Sequence, residues 1–161
     1  MSMQAHMWIE GKKQGKIDGP SKIKGREKSF EVLALDHQVT LPFESRTGSV
    51  AGKRVHHPLV VVKTVDEASP KLYKAITTGE HLKVEVRWFR PHPEGGASEQ
   101  HYFTTKLEGA VLTAIKPTIP NINESRGASV GHQEQLSFIY DTITWTYQGG
   151  GEHIDKWLEP A

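Results

Sequence analysis

The chain has 161 residues, a length that suits one domain, 1–161, with a core large enough to hold without staples. It has no cysteine, which excludes a disulfide framework and a thiolate metal site. With 20 Lys and Arg against 19 Asp and Glu the net charge is +1, so the field of the whole molecule points to no class of partner.

The first ten residues lack a charged stretch followed by an apolar one, so no secretory signal is expected. No apolar run approaches the ~20 residues of a membrane span. The expectation is a soluble protein made in the cytoplasm, which would leave the cell only by a dedicated machine.

A short first strand is expected over residues 6–10. Gly11, Gly15, Gly19, Pro20 and Gly25 then punctuate a long polar connection. Within it Lys12, Lys13, Lys16, Lys22, Lys24, Arg26 and Lys28 face only Asp18 and Glu27. Such a patch can hold nucleic acid, which makes a nucleic-acid-binding β-barrel using residues 12–28 one reading. No aromatic residue is interleaved with the charges, so base stacking is not offered there.

Residues 30–39 read as a second strand, apolar at its start and polar near Asp36. Residues 41–55 contain Pro42, Gly48 and Gly52 with little periodicity, and a loop of that length is usually functional or disordered. Residues 58–65 are rich in β-branched side chains and form a strand. A helix follows. Ser69 is placed to cap it, Pro70 suits its first position, and Gly79 can end it. Leu72 and Ile76 lie on one stripe with Tyr73 and Ala75 beside them, while Lys71 and Lys74 face outward.

Val84, Val86 and Trp88 alternate with charged residues as in a strand buried on one face. Residues 91–98 are a hairpin tip. A long strand follows, with Phe103, Leu107, Val111 and Ile115 on one parity and a bend expected at Gly109. Residues 117–131 form a second polar loop. Leu136, Phe138 and Tyr140 share one parity, and Ile143, Trp145 and Tyr147 the other, which requires a bulge or bend near Asp141 and Thr142. Residues 149–161 are a tail containing Trp157. The fold class is mainly β: a bent two-sheet barrel or sandwich with one short flanking helix.

Chemical motifs are weak. Residues 127–131 (GASVG) match a nucleophile elbow around Ser129, but that chemistry needs a strand before the serine and a helix after it. Residues 48–54 (GSVAGKR) have three residues between the glycines where a phosphate-binding loop needs four, and Arg54 stands in place of the hydroxyl that would hold magnesium. Among nine histidines, His56 and His57 are adjacent and point to opposite faces of a strand. His92 and His101 could approach across a hairpin without a third ligand. Asp66 and Glu67 sit where a helix dipole favours negative charge. No catalytic residue, cofactor or metal is expected, and the long loops are left as functional surfaces.

Several segments together carry a family resemblance: residues 30–34 (FEVLA), 47–56 (TGSVAGKRVH), 69–79 (SPKLYKAITTG), 102–108 (YFTTKLE) and 143–147 (ITWTY), with DKW at 155–157. In this order they resemble the hemolysin-coregulated protein family, the tube subunit of the bacterial type VI secretion system. The resemblance implies a β-barrel subunit with a flanking helix and no catalytic role. Six copies would form a ring, and rings would stack into a hollow tube that a contracting sheath expels. The tube would carry small effectors in its lumen and work with sheath, spike and baseplate proteins. By the same resemblance residues 41–55 form the extended loop that reaches the adjacent ring. Leu41, Phe43, Val50 and Arg54 are then its contact residues, and the three apolar ones are expected to be buried on assembly. Asp36 falls near a lumen-facing position where relatives often carry a small hydroxyl. A C-terminal toxin domain, present in some relatives, is not expected here. A nucleic-acid-binding barrel and a hydrolase using Ser129 stand as rivals.

Overall fold

The computed structural model describes residues 3–96, 98–124 and 131–158. In chain order the elements are β1 (Ala5–Gly11), β2 (Gly15–Ile17), β3 (Phe30–Val32), β4 (Ala34–Asp36), β5 (Val39–Thr40), β6 (Val55–His56) and β7 (Leu59–Thr64). There follow α1 (Ser69–Thr78), β8 (Leu82–Pro91), β9 (Glu99–Thr118), β10 (Gln133–Ile139), β11 (Thr142–Tyr147) and β12 (Glu152–Lys156). The mainly β architecture with one flanking helix is the expected one.

β9 organises the fold because it belongs to two sheets. Its first part pairs with β8 and β11, and its last part with β10. One sheet therefore runs β2–β1–β8–β9–β11–β12, and the other β9–β10–β7–β4, with every ladder antiparallel. The strand turns from one sheet to the other at Gly109, whose φ is 60°. A Cβ at that position would lie 2.3 Å from Asp141 Oδ2, so only glycine fits both the angle and the space. Asp141 N–H also donates to the Glu108 carbonyl (3.1 Å). The bend in β9 and the break between β10 and β11 thus occur at one place. Leu136, Phe138, Tyr140 and Ile143 are all buried despite their change of parity, as anticipated.

One register expectation fails beside this bend. Leu107 is buried, but the next inward residues are Ala110 and Leu112, and Val111 is only half-buried. The left-handed glycine reverses the alternation, and a register shift at Ser137 and Phe138 restores it. Ile115 then packs on the core again.

The single strand expected over residues 30–39 is three pieces. β3 pairs with β1, β4 pairs with β7, and Leu33 N–H between them donates to the Val62 carbonyl (2.8 Å). Phe30 and Val32 point into the core, whereas Ala34 and Asp36 are exposed. β5 then leaves both sheets and pairs only with β6. The expected long polar connection after β1 likewise hides a short strand, β2, whose Ile17 is buried.

The helix lies over the sheets with Leu72 and Ala75 buried and Ile76 packed against the core. Lys71, Lys74 and, against expectation, Tyr73 are exposed. Gly79 at φ 65° ends it. Ser69 is not the cap. The N-cap is Ala68, with no side-chain capping bond, and Asp66 Oδ1 accepts the Ala68 N–H (2.8 Å) instead. The Ser69 hydroxyl donates to Glu134 Oε1 (2.8 Å) and accepts the Asp66 N–H (3.0 Å). A buried ion cluster below the helix draws it inward: Lys63 pairs with Glu134 and with Asp66 (3.0 Å), and donates to the Thr64 carbonyl (3.1 Å). Three acceptors compensate a lysine head that would otherwise be costly to take out of water.

Candidate functional site

Residues 41–55, read from sequence as an irregular loop, are the outer part of a two-stranded arm. Its root is the β5–β6 pair, with Val39 opposite His56 and Thr40 opposite Val55, extended by His57 N–H to the Gln38 carbonyl (3.1 Å). The ladder continues outward through Ala51 N–H to Pro42 O (2.9 Å), the Phe43–Val50 bridge, and Glu44 N–H to Ser49 O (2.8 Å). A turn closed by Gly48 N–H to Glu44 O (2.8 Å), with Gly48 at φ 71°, forms the tip. Periodicity is hard to read here because the pairing is local and no face of the arm is covered by the core.

Because the arm satisfies much of its own backbone, its side chains can stand in solvent. Leu41, Phe43 and Val50 are 53%, 67% and 62% exposed, and Phe43 and Val50 face each other across the ladder. Val39 and Val55 nearer the root are exposed as well. Single exposed apolar residues are ordinary, but this series lies on one projecting element.

The root of the arm is held as firmly as its tip is free. Arg54 grips Asp155 with two parallel bonds, Nε to Oδ2 (2.9 Å) and Nη2 to Oδ1 (3.1 Å), and also donates to the Lys156 carbonyl (3.0 Å). Bidentate charge-assisted pairs of this kind are the strong ones. His56, buried at the end of β6, contacts Asp155 Oδ2 through Nε2 (2.8 Å) and the Tyr140 hydroxyl through Nδ1 (2.7 Å). The same hydroxyl meets His37 Nε2 (2.9 Å). Around them His56 stacks on Trp145 and Trp157, while Tyr140 meets Trp157 edge-on at 4.9 Å between centroids. The C-terminal tail is therefore part of the arm's footing: β12 pairs with β11, and Trp157 N–H donates to the Asp141 carbonyl (2.9 Å).

An Asp–His–Tyr run has the outline of an activated nucleophile, but its electrostatics oppose that role. Burial first, and then the negative Asp155, push the Tyr140 hydroxyl well above its ordinary pKa. Tyr140 is 4% exposed, which leaves a substrate little access. The Arg54 bonds, outweighing burial and supported by His56, hold the Asp155 carboxyl far below the usual range. The run is a structural tie.

The other candidate residues lie apart. Asp36 is exposed at the end of β4. His101 bonds Thr104 Oγ1 (2.7 Å) and His92 Nδ1 accepts the Glu94 N–H (3.4 Å). Among the described residues no group of three or more His, Cys, Asp or Glu could hold a metal ion, and no helix is long and apolar enough to cross a membrane. Ser129 lies outside the described residues. In the basic segment Arg26 turns inward to Glu99 (2.7 Å) and Gln4 (3.0 Å), with its guanidinium 3.7 Å above the Phe89 ring. That removes one charge from the patch. Sequence reasoning missed His37, Tyr140 and Asp155 as partners of the arm. Tyr140 and Asp155 are distant in sequence, and His37, just before β5, shows its role only through the Tyr140 hydroxyl it shares with His56. The paired His56 and His57 and the DKW run were the available signals.

Comparison with known proteins identifies the family. The family described as "Type VI secretion system effector, Hcp" matches residues 6–147. The chain belongs to the Hcp family. It is 37% identical to the "Major exported protein" of Pseudomonas aeruginosa over 100% of this chain and 99% of that protein. Among solved structures it resembles Hcp1 of E. coli EAEC 042, at 34% identity and a TM-score of 0.83 over 97% of this chain and 99% of that one. It also resembles the secreted protein Hcp3 of Pseudomonas aeruginosa, at 34% identity and a TM-score of 0.78 over 98% and 100%. Membership makes this Hcp chain a tube subunit of a type VI secretion system.

Proposed function

We infer that this Hcp subunit is a single domain that closes head-to-tail into six-membered rings, and that the arm of each ring docks on the next ring to build a hollow tube. A closed ring requires a heterologous contact whose rotation brings the sixth copy back to the first. The observation that carries this reading is the arm itself. A self-paired ladder with a clamped root presents Leu41, Phe43 and Val50 to solvent, and a second copy of the chain can cover them. Arg54 supports the contact from the root, by fixing the direction in which the arm leaves the body.

The tube is a carrier without a catalytic role. Small effectors ride in its lumen, where Asp36 adds negative charge, and it works with the sheath, spike and baseplate proteins of the system. It is made in the cytoplasm and exported, the export being in keeping with the name of its Pseudomonas relative. Nucleic acid and membrane insertion have no part in this reading.

Sedimentation velocity tests it. A six-subunit species is expected, with longer stacks at high concentration. The double change Phe43→Asp and Val50→Asp should keep the rings and lose the stacks, because it would bury unpaired charge between them. A strict monomer at high concentration would overturn the ring, and stacks unaffected by the double change would overturn the role of the arm.

A further inference from the structure

The run of polar groups at the arm's root has a property that its separate bonds do not. Asp155 can only accept, so His56 Nε2 must carry a proton and donate to it. With zero or one added proton the Tyr140 hydroxyl and the two ring nitrogens that face it can all be paired. With both imidazoles neutral, His37 Nε2–H donates to Tyr140, and the Tyr140 hydroxyl donates to the bare Nδ1 of His56. With one added proton His56 is an imidazolium that donates both to Asp155 and to Tyr140, and the hydroxyl turns to donate to the bare Nε2 of His37.

A second added proton has no such solution. Both imidazoliums would point N–H groups at the one hydroxyl oxygen, and the hydroxyl's own proton would face no acceptor in a buried site. Two positive rings would also converge on Tyr140. We propose that the run His37–Tyr140–His56–Asp155 is an acid-sensitive latch between the arm and the C-terminal strand, intact with zero or one added proton and opened by the second.

The surroundings decide where that second proton meets resistance. His37 is faced by Asp36, His56, His57, Tyr140 and Trp145; His56 by Asp155, with Arg54 behind it, and by Tyr140, Trp145 and Trp157. Burial, and then the positive charge of His56, hold the affinity of His37 for a proton below the ordinary value, with the His57 carbonyl and Asp36 opposing. Opening therefore belongs below the ordinary imidazole midpoint of about 6.5. Arg54 and Asp155 do not release in that range, so an opened latch leaves β6 tethered through Arg54 while His56 and the stacked rings loosen.

The test uses the full chain and reads amide exchange at residues 54–57 and 153–157, corrected for intrinsic rates, together with nitrogen NMR of the histidines. Protection at the root should be flat from pH 8 to 6.5 and fall about tenfold or more by pH 5, in step with titration of His37. His37→Gln supplies a donor to Tyr140 that cannot titrate, and should keep its protection within about twofold over the same range. Equal protection of the wild type at pH 7 and pH 5 would overturn the latch, as would an unchanged acid loss in His37→Gln. If that variant does not fold, protonation of both His37 and His56 in the wild type without loss of protection at the root overturns it equally. This readout does not depend on assembly. Shortening of stacked tubes in the same acid range is a separate measurement that rests on the arm's role in stacking.

Discussion

Two long connections that look alike in sequence, polar and rich in glycine, settle in opposite ways. Residues 18–29 lie down on the sheet. Trp8 Nε1 donates to the Glu27 carbonyl (3.1 Å), Arg26 stacks on Phe89 and pairs with Glu99, and the Ser29 hydroxyl donates to the Arg26 carbonyl (2.6 Å). Since that hydroxyl is used, His6 Nδ1 must donate to Ser29 (2.9 Å), which leaves His6 Nε2 buried without a partner among the described residues. The arm of residues 39–56 stands up instead, with its bonds to the body concentrated at the root and its apolar residues outward. A connection lies flat when its side chains find partners on the body, and projects when its backbone finds partners within itself. Overall hydrophobicity does not decide the matter, since the more apolar of the two is the one left in solvent.

The contrast can be attacked first at the root. Asp155→Ala removes the partner of Arg54 and of His56 together, and should cost about 3 kcal/mol of stability in urea denaturation. The Arg54 part of that loss should be nearly the same at pH 7 and pH 5. A carboxyl whose pKa is depressed confers stability above its unfolded value near 3.9, and that stability disappears only as pH falls through the much lower folded value. A cost below about 0.5 kcal/mol would show that the arm needs no footing.

The flat segment is tested by Arg26→Ala, which loses an ion pair, a hydrogen bond to Gln4 and the stack on Phe89. About 2 kcal/mol is expected, with proteolytic cleavage appearing within residues 18–29. Cleavage in the arm instead would reverse the comparison.

Acid should act on both regions, more gently. His6, His37 and His101 all have lowered proton affinity, chiefly through burial. The unfolded chain therefore binds more protons than the folded one as pH falls through 6.5. Stability should be greatest above that value and decline below it, until pH passes the folded values. A midpoint in urea that rises between pH 7 and pH 5 would contradict this sign. The smallest change in subunit stability belongs to the double change Phe43→Asp and Val50→Asp, within about 0.5 kcal/mol, because neither residue is packed in the isolated subunit. A larger cost would mean that the arm packs on its own body.

Much of the fold was legible in local pattern. The alternation in β8, the helix with its Gly79 terminus, and the break at Asp141 each follow from spacing that admits one reading. The candidate site was half legible: Leu41, Phe43 and Val50 stood out as apolar in a polar stretch, and family resemblance gave the stretch a purpose. Their pairing was hidden, because a hairpin ladder with both faces in water imposes no pattern on its side chains. Ser69 was misread as a cap because its buried partner, Glu134, lies 65 residues away.

Local chemistry in the chain, then, set the strands, the helix and the glycine hinge, since steric limits on φ and the two-residue period of a strand act between near neighbours. Only the folded structure could decide what holds the arm. His37, Arg54 and His56 meet Tyr140 and Asp155 because β9 bends at Gly109 and brings the C-terminal hairpin beside β6. Contacts across some 85 to 100 residues are fixed by how sheets pack, and no short-range rule of sequence contains them.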